Sequence, residues 1–205
     1  LEIGIGIKTI GDNAFKSMTK LTEIRYRAEA CEDKASGNNV FFDAGNNNSG
    51  ITVTIENGVT EVPAYMFCPT GSTANRPNIV TLIFESTSIC ETINEYAFAY
   101  LTALTAINIP NSVETIENHA FYGCTAVESI KIGESEDNSS IKLIETYAFA
   151  ENTNASYVAI YAKQGNDDIA IIRLQKAINL SPEYKAVAVG ENGSTSGESG
   201  RVPLQ

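Results

Sequence analysis

Apolar residues recur along this chain as an ordered set. Starting from Phe98, the series Leu104, Ile107, Ile109, Val113 and Ile116 leads to Phe121, a period of 23 residues. The next copy runs from Phe121 through Val127, Ile130, Ile132, Ile141 and Ile144 to Phe149, and a further one begins at Ala155, Val158 and Ile160. The extra length of the Phe121 copy falls in the polar stretch 133–140. Upstream, Phe67 is followed by Ile79, Leu82, Phe84, Cys90 and Ile93, with an insertion within 68–78 that carries Pro69, Gly71 and Pro77. Val53, Ile55, Val59 and Val62 precede it in register. Leu1, Ile3, Ile7, Ile10, Phe15, Leu21, Ile24 and Tyr26 fit the same series, so the chain is expected to begin inside a copy with no polar cap ahead of it.

The spacing predicts the elements. At the end of Leu-x-x-Ile-x-Ile the pattern alternates with period two, so Ile107 and Ile109 share one face and Asn108 takes the other, as in a short strand. Asn111 and Ser112 turn the chain, Val113 and Ile116 lay a second apolar segment, and the run 117–123 around Ala120 and Phe121 predicts a tight helical or 3₁₀ turn. A unit this small cannot bury its own apolar side. Copies must stack, with strands adding edge to edge and the phenylalanines forming an inner column. The alanine before each phenylalanine is small because the neighbouring coil must approach closely there. The expected architecture is an α/β repeat solenoid of about seven coils over residues 1–190, with a parallel strand ladder on one face and short helical or 3₁₀ turns and irregular segments on the other.

Two copies are blurred. Val40, Phe41 and Phe42 should supply the Ala-Phe position, but the Asn-rich stretch 45–50 prevents a unique alignment. Ala177, Ile178, Tyr184, Val187 and Val189 repeat the offsets and predict a last strand near 187–189, although 174–184 also resembles one helix of a tetratricopeptide repeat. Residues 191–205 are rich in Gly, Ser and Glu and read as a polar tail or linker.

The ordered set Ile-Pro-x-Ser-Val-x-x-Ile-x-x-x-Ala-Phe-x-x-Cys, from Ile109 to Cys124, resembles the BspA-like leucine-rich repeats of bacterial surface antigens. The resemblance covers residues 1–162 and, more loosely, 163–190. Met66 in place of alanine, Cys90 in place of valine, the insertions and the missing terminal caps depart from it. What it implies is extracellular or cell-surface display, often beside other modules, and adhesion to host or matrix proteins.

Composition narrows the partners. The 25 acidic against 14 basic residues give a formal charge of −11, which repels phosphate backbones and anionic membrane surfaces and argues against nucleic acid. No apolar run approaches the roughly 20 residues that a bilayer-spanning helix needs. The chain opens on Leu1 without a recognisable signal peptide and is expected to be a mature or trimmed piece of something longer.

The sequence offers little to catalysis, and no enzyme is expected. His119 is the single histidine and reads as a surface turn residue, which leaves nucleophile–base pairs and transition-metal sites without their usual partner. No cofactor is implied. Cys90 and Cys124 fall at core positions and read as buried thiols, whereas Cys31 and Cys68 are less determined, and a disulfide among the four stays open. The acidic run 134–138 lacks the glycine and distal acid of a calcium loop. Asn-x-Ser/Thr occurs at Asn47, Asn138, Asn154 and Asn192.

Binding is expected on the strand face, which presents one central outward side chain per coil. By register this row is Arg25, Thr54, Ile83, Asn108, Lys131, Ala159 and Ala188. It is flanked on one side by Glu23, Thr52, Thr81, Ala106, Ser129 and Tyr157, and on the other by Arg27, Glu56, Glu85, Pro110, Gly133 and Tyr161. The candidate protein-binding residues are Arg25, Thr54, Ile83, Asn108, Lys131, Tyr157 and Tyr161, with the two tyrosines as anchors or, alternatively, as mere cover for the sheet. The expected partner is a protein. A spacer that displays another domain is the alternative, and the fragment is expected to be a monomer or to self-associate weakly through its exposed strand edge.

Overall fold

Strands form where the period-two pattern places them. The computed structural model describes residues 1–47, 49–68, 76–134 and 139–161 and the backbone of 187–188. Strands β1 (Glu2–Ile3), β2 (Glu23–Tyr26), β3 (Ile51–Ile55) and β5 (Ile79–Phe84) pair in parallel in that order, and β7 (Ala106–Ile109), β9 (Ser129–Ile132), β11 (Tyr157–Ile160) and β12 (Val187–Ala188) do the same. Together they are the front ladder of a solenoid. In β7, Ile107 and Ile109 are buried and Asn108 is exposed, as alternation requires.

The second apolar segment of each coil builds a ladder of its own. Here β4 (Glu61–Val62), β6 (Thr92–Ile93), β8 (Thr115–Ile116) and β10 (Leu143–Ile144) pair in parallel down the back, each burying one aliphatic side chain. Two residues per strand are too few for a period to show in the sequence.

The expected helical or 3₁₀ turn around each Ala-Phe pair does not form among the described residues. The reason is a left-handed residue two places before the phenylalanine and another two places after it. Asn13 and Ser17 flank Phe15, Tyr96 and Tyr100 flank Phe98, and Tyr147 and Glu151 flank Phe149, all at φ between 53° and 63°. Right-handed helix cannot propagate through such residues. Single β-turns close instead, such as Ala120 N donating to Glu117 O at 3.2 Å, and the remaining N–H groups reach the next coil. Tyr96 N donates to Asn118 O, Phe98 N to Ala120 O and Tyr100 N to Tyr122 O, a third side of backbone bonds joining coil to coil.

The core is one continuous cluster between these three sides. Its axis is a column of rings, Phe15, Phe41, Phe67, Phe98, Phe121 and Phe149, with centroids 5.2–5.4 Å apart and faces within 24° of parallel. Phe41 therefore settles the blurred alignment, with Val40 in the alanine position. The alanines are small for a visible reason: the carbonyl of Ala97, Ala120 or Ala148 accepts the N–H of the phenylalanine one coil earlier at 2.7–3.0 Å. All four cysteines are buried free thiols. Burial pushes Cys68, Cys90 and Cys124 up to about 12, so they stay protonated at neutral pH.

Among the described residues the front ladder is interrupted once. At the position where Arg27, Glu56, Glu85, Gly133 and Tyr161 each donate N–H to the preceding strand at 2.9–3.0 Å, β7 presents Pro110, which has no N–H. Among the described residues β5 and β7 do not pair, while β6–β8 and the Phe98–Phe121 contact hold the same two coils together.

Several expectations fall outside the described residues: most of both insertions, the acidic run 135–138, the helix-like stretch 174–184 and the tail 191–205. Within the last strand, Ala159 pairs with Val187 and Ile160 with Ala188. The predicted register, with Ala188 beside Ala159, is thus corrected by one residue.

Candidate protein-binding surfaces

The central front row forms in the order expected, in two halves. Arg25, Thr54 and Ile83 are cross-strand neighbours in one half, and Asn108, Lys131 and Ala159 in the other. Ile83, Asn108 and Lys131 line one open groove of about 330 Å³ at the interruption, with Phe84, Glu85 and Pro110. Tyr157 is 56% exposed on the outer edge of the C-terminal half. Lys131 Nζ stands 5.9 Å from the centroid of the half-buried Tyr161 ring. Thr54 is half-buried in β3.

Two positions of the expected face are not available to a partner. Glu56 is only 5% exposed. Arg25 Nε contacts its Oε1 at 2.5 Å as an ion pair without directed hydrogen-bond geometry, and Arg27 Nε contacts Oε2 at 2.9 Å. Arg27 also pairs with Glu2 at 2.8 Å, so these charges serve one another across three strands. Alternation alone could not foresee this. Two guanidinium groups beside it offset part of the cost of taking this carboxylate out of water. Ala159 is 4% exposed, because a methyl does not rise above Tyr157, Tyr161 and Lys131 around it.

A second surface lies at the corner after the back ladder, where no binding residue is expected from the front-face register. Tyr65, Tyr96, His119 and Tyr147 occupy the same place in four successive coils, two residues before the core phenylalanine. Their rings stack: Tyr65 on Tyr96 at 4.9 Å, Tyr96 on His119 at 4.6 Å and His119 by Tyr147 at 5.2 Å. Tyr122 tilts against His119, and Tyr100 meets Tyr122 edge to face. All four stacked residues sit at φ between 53° and 61°, a conformation costing roughly 1–3 kcal/mol for a bulky side chain. Each aromatic pair returns about 0.5–1.5 kcal/mol.

Half-burial in the stack lowers the His119 pKa below its ordinary value, with Glu95 opposing, and raises those of Tyr65 and Tyr96. His119 is thus a turn residue as expected, but one wedged between rings, with Nδ1 in contact with Asn118 Oδ1. The signal for this column was present as Tyr-x-Phe at 65, 96 and 147 and His-x-Phe at 119. Taken one at a time, these look like variable surface positions.

Among the described residues no group of three or more His, Cys, Asp and Glu side chains is disposed to hold a metal ion, and no helix is long and apolar enough to cross a membrane. A family model described as the BspA type leucine rich repeat region matches this chain in six copies, over residues 1–83 and 74–167. Neither the curated proteins nor the solved structures gave a match.

Proposed function

Because this chain belongs to the BspA-type leucine-rich repeat family, a family of repeats that generally mediate protein interactions, we propose that it is a non-catalytic adhesion module of a secreted or surface-displayed protein. On this reading it takes up a host, matrix or other surface protein through its front ladder. The observation that carries the reading is the group Ile83, Asn108, Lys131, Tyr157 and Tyr161, which gathers apolar, polar, cationic and aromatic side chains, exposed or half-buried, around one groove and its neighbouring strands. Tyrosine on rigid strands gives large contact area at low entropic cost.

The test is binding of the purified chain to immobilised extracellular-matrix and serum proteins beside a Tyr157→Ala/Tyr161→Ala variant. Saturable binding that weakens at least about tenfold in the variant supports the reading; equal binding by both chains removes the front ladder from it. A second reading is a spacer that displays another domain. It is favoured by the N-terminal half of the ladder, where Glu2, Arg25, Arg27 and Glu56 are already paired with one another. Failure to bind any protein of the panel would favour the spacer.

A further inference from the structure

Beside the tyrosine–histidine stack runs a row of carboxylates. Glu95 acts electrostatically on Tyr65, Tyr96 and His119, and burial, then the charges of Glu145, Asp33 and Glu95, raise the pKa of Glu117. Backbone N–H groups of adjacent coils hold three of these carboxylates in place. Asp33 Oδ1 accepts from Ala64 N at 2.7 Å, Glu117 Oε2 from Glu95 N at 2.9 Å and Glu145 Oε2 from Asn118 N at 3.0 Å. Among the described residues no ion pair involves any of these four acids; the pairs that form lie elsewhere. At the end of the stack Tyr147 is 47% exposed.

We infer that this corner is a second docking surface, and that its occupant is a lysine- or arginine-rich segment of a partner protein. Charge complementarity selects the occupant. A guanidinium or ammonium group gains from a carboxylate and from the face of a tyrosine ring; the carboxylates repeat through successive coils, and Tyr147, at the end of the stack, is the exposed ring. An acidic segment meets like charge across the whole row. Ring stacking fixes the one column and backbone hydrogen bonds fix Asp33, Glu117 and Glu145 in the other, so little side-chain freedom is lost there on binding. The backbone supports the same conclusion. Asn13 and Gly123 show that the left-handed corners of a coil accept Asn or Gly, yet four coils keep a strained aromatic residue at this one. This surface lies off the front ladder, and the inference does not rest on the function proposed for that ladder.

The test is fluorescence anisotropy of a labelled peptide of alternating arginine and glycine titrated with the full chain, beside its glutamate–glycine counterpart. Saturable binding of the arginine peptide is expected, at least about tenfold tighter than that of the glutamate peptide. Tyr147→Gly and the double variant Glu95→Gln/Glu145→Gln should each weaken it about tenfold or more. A Glu29→Gln/Glu128→Gln variant, which removes the same charge elsewhere, should stay within about twofold of the parent. Glycine adopts the left-handed corner freely, so Tyr147→Gly removes the ring without opposing the fold, and circular dichroism melts of every variant check this. Equal weakening by both charge pairs would reduce the attraction to net charge and overturn the proposal. Absence of arginine-peptide binding to the parent chain would overturn it as well.

Discussion

The phenylalanine column and the tyrosine–histidine stack climb the same coils two residues apart, with ring spacings of 5.2–5.4 Å in the first and 4.6–5.2 Å in the second. Phe41, Phe67, Phe98, Phe121 and Phe149 are buried with the aliphatic residues of both ladders around them. The outer rings are half-exposed or exposed, next to acids, on backbone that disfavours them. Identical repetition thus arises for opposite reasons. The inner column is required by burial of apolar surface, whereas the outer one is retained against a conformational cost.

Substitutions can break or sharpen this contrast. The largest effect is expected at Phe121→Ala, which empties the middle of the core column and should cost about 3–5 kcal/mol in denaturant unfolding; a loss under about 1 kcal/mol would deny the column its structural role. Tyr96→Gly comes next. Relief of the left-handed strain offsets the lost stacking and the added chain entropy, so its stability should stay within about 1 kcal/mol of the parent. A penalty matching that of Phe121→Ala would erase the distinction between the columns.

The smallest effect concerns His119, which faces the rings of Tyr96, Tyr122 and Tyr147, the Asn118 side chain and Glu95. In the folded chain burial holds its pKa below the ordinary imidazole value. Below that value the unfolded chain binds the proton first, so the stability contributed by neutral His119 is present above it and declines as pH falls towards the folded value. Thermal melts at pH 7 and pH 5 should therefore drop slightly more for the parent than for His119→Tyr, which keeps a ring but cannot titrate there. An equal drop in both chains would mean that the imidazole is not held neutral by its neighbours.

Legibility in the sequence followed the physics that made each feature. The front strands and the inner column were readable because burial imposes apolar residues at fixed offsets, and nothing else explains Phe98, Phe121 and Phe149 in register with Ile107, Ile130 and Val158. The back ladder was not, since a strand such as Thr115–Ile116 shows only one buried side chain. The left-handed corners were hidden for a different reason: tyrosine carries no preference for positive φ, so Tyr65 or Tyr96 gives no local sign of it. Only superposing the copies shows an aromatic residue in the same place each time. Glu56 faces outward as alternation requires and is nonetheless covered, because Arg25 and Arg27, adjacent only across the sheet, close over it. Of the candidate site, the exposure of Ile83, Asn108 and Tyr157 could be read from register, but the groove between β5 and β7 could not be read from any single strand.

That groove marks a mechanical seam. In a stack where each coil touches only its neighbours, a pulling force along the axis passes undiminished through every joint, and the joint with the fewest fastenings yields first. The joints on either side of this seam, β3–β5 and β7–β9, are fastened by the front ladder, the back ladder and the turn side. The one at Pro110 relies on the back ladder, the turn side and the stacked pair Phe98–Phe121. Under such a pull this joint would open at its front, like a book held along its spine, before either of those two neighbours does.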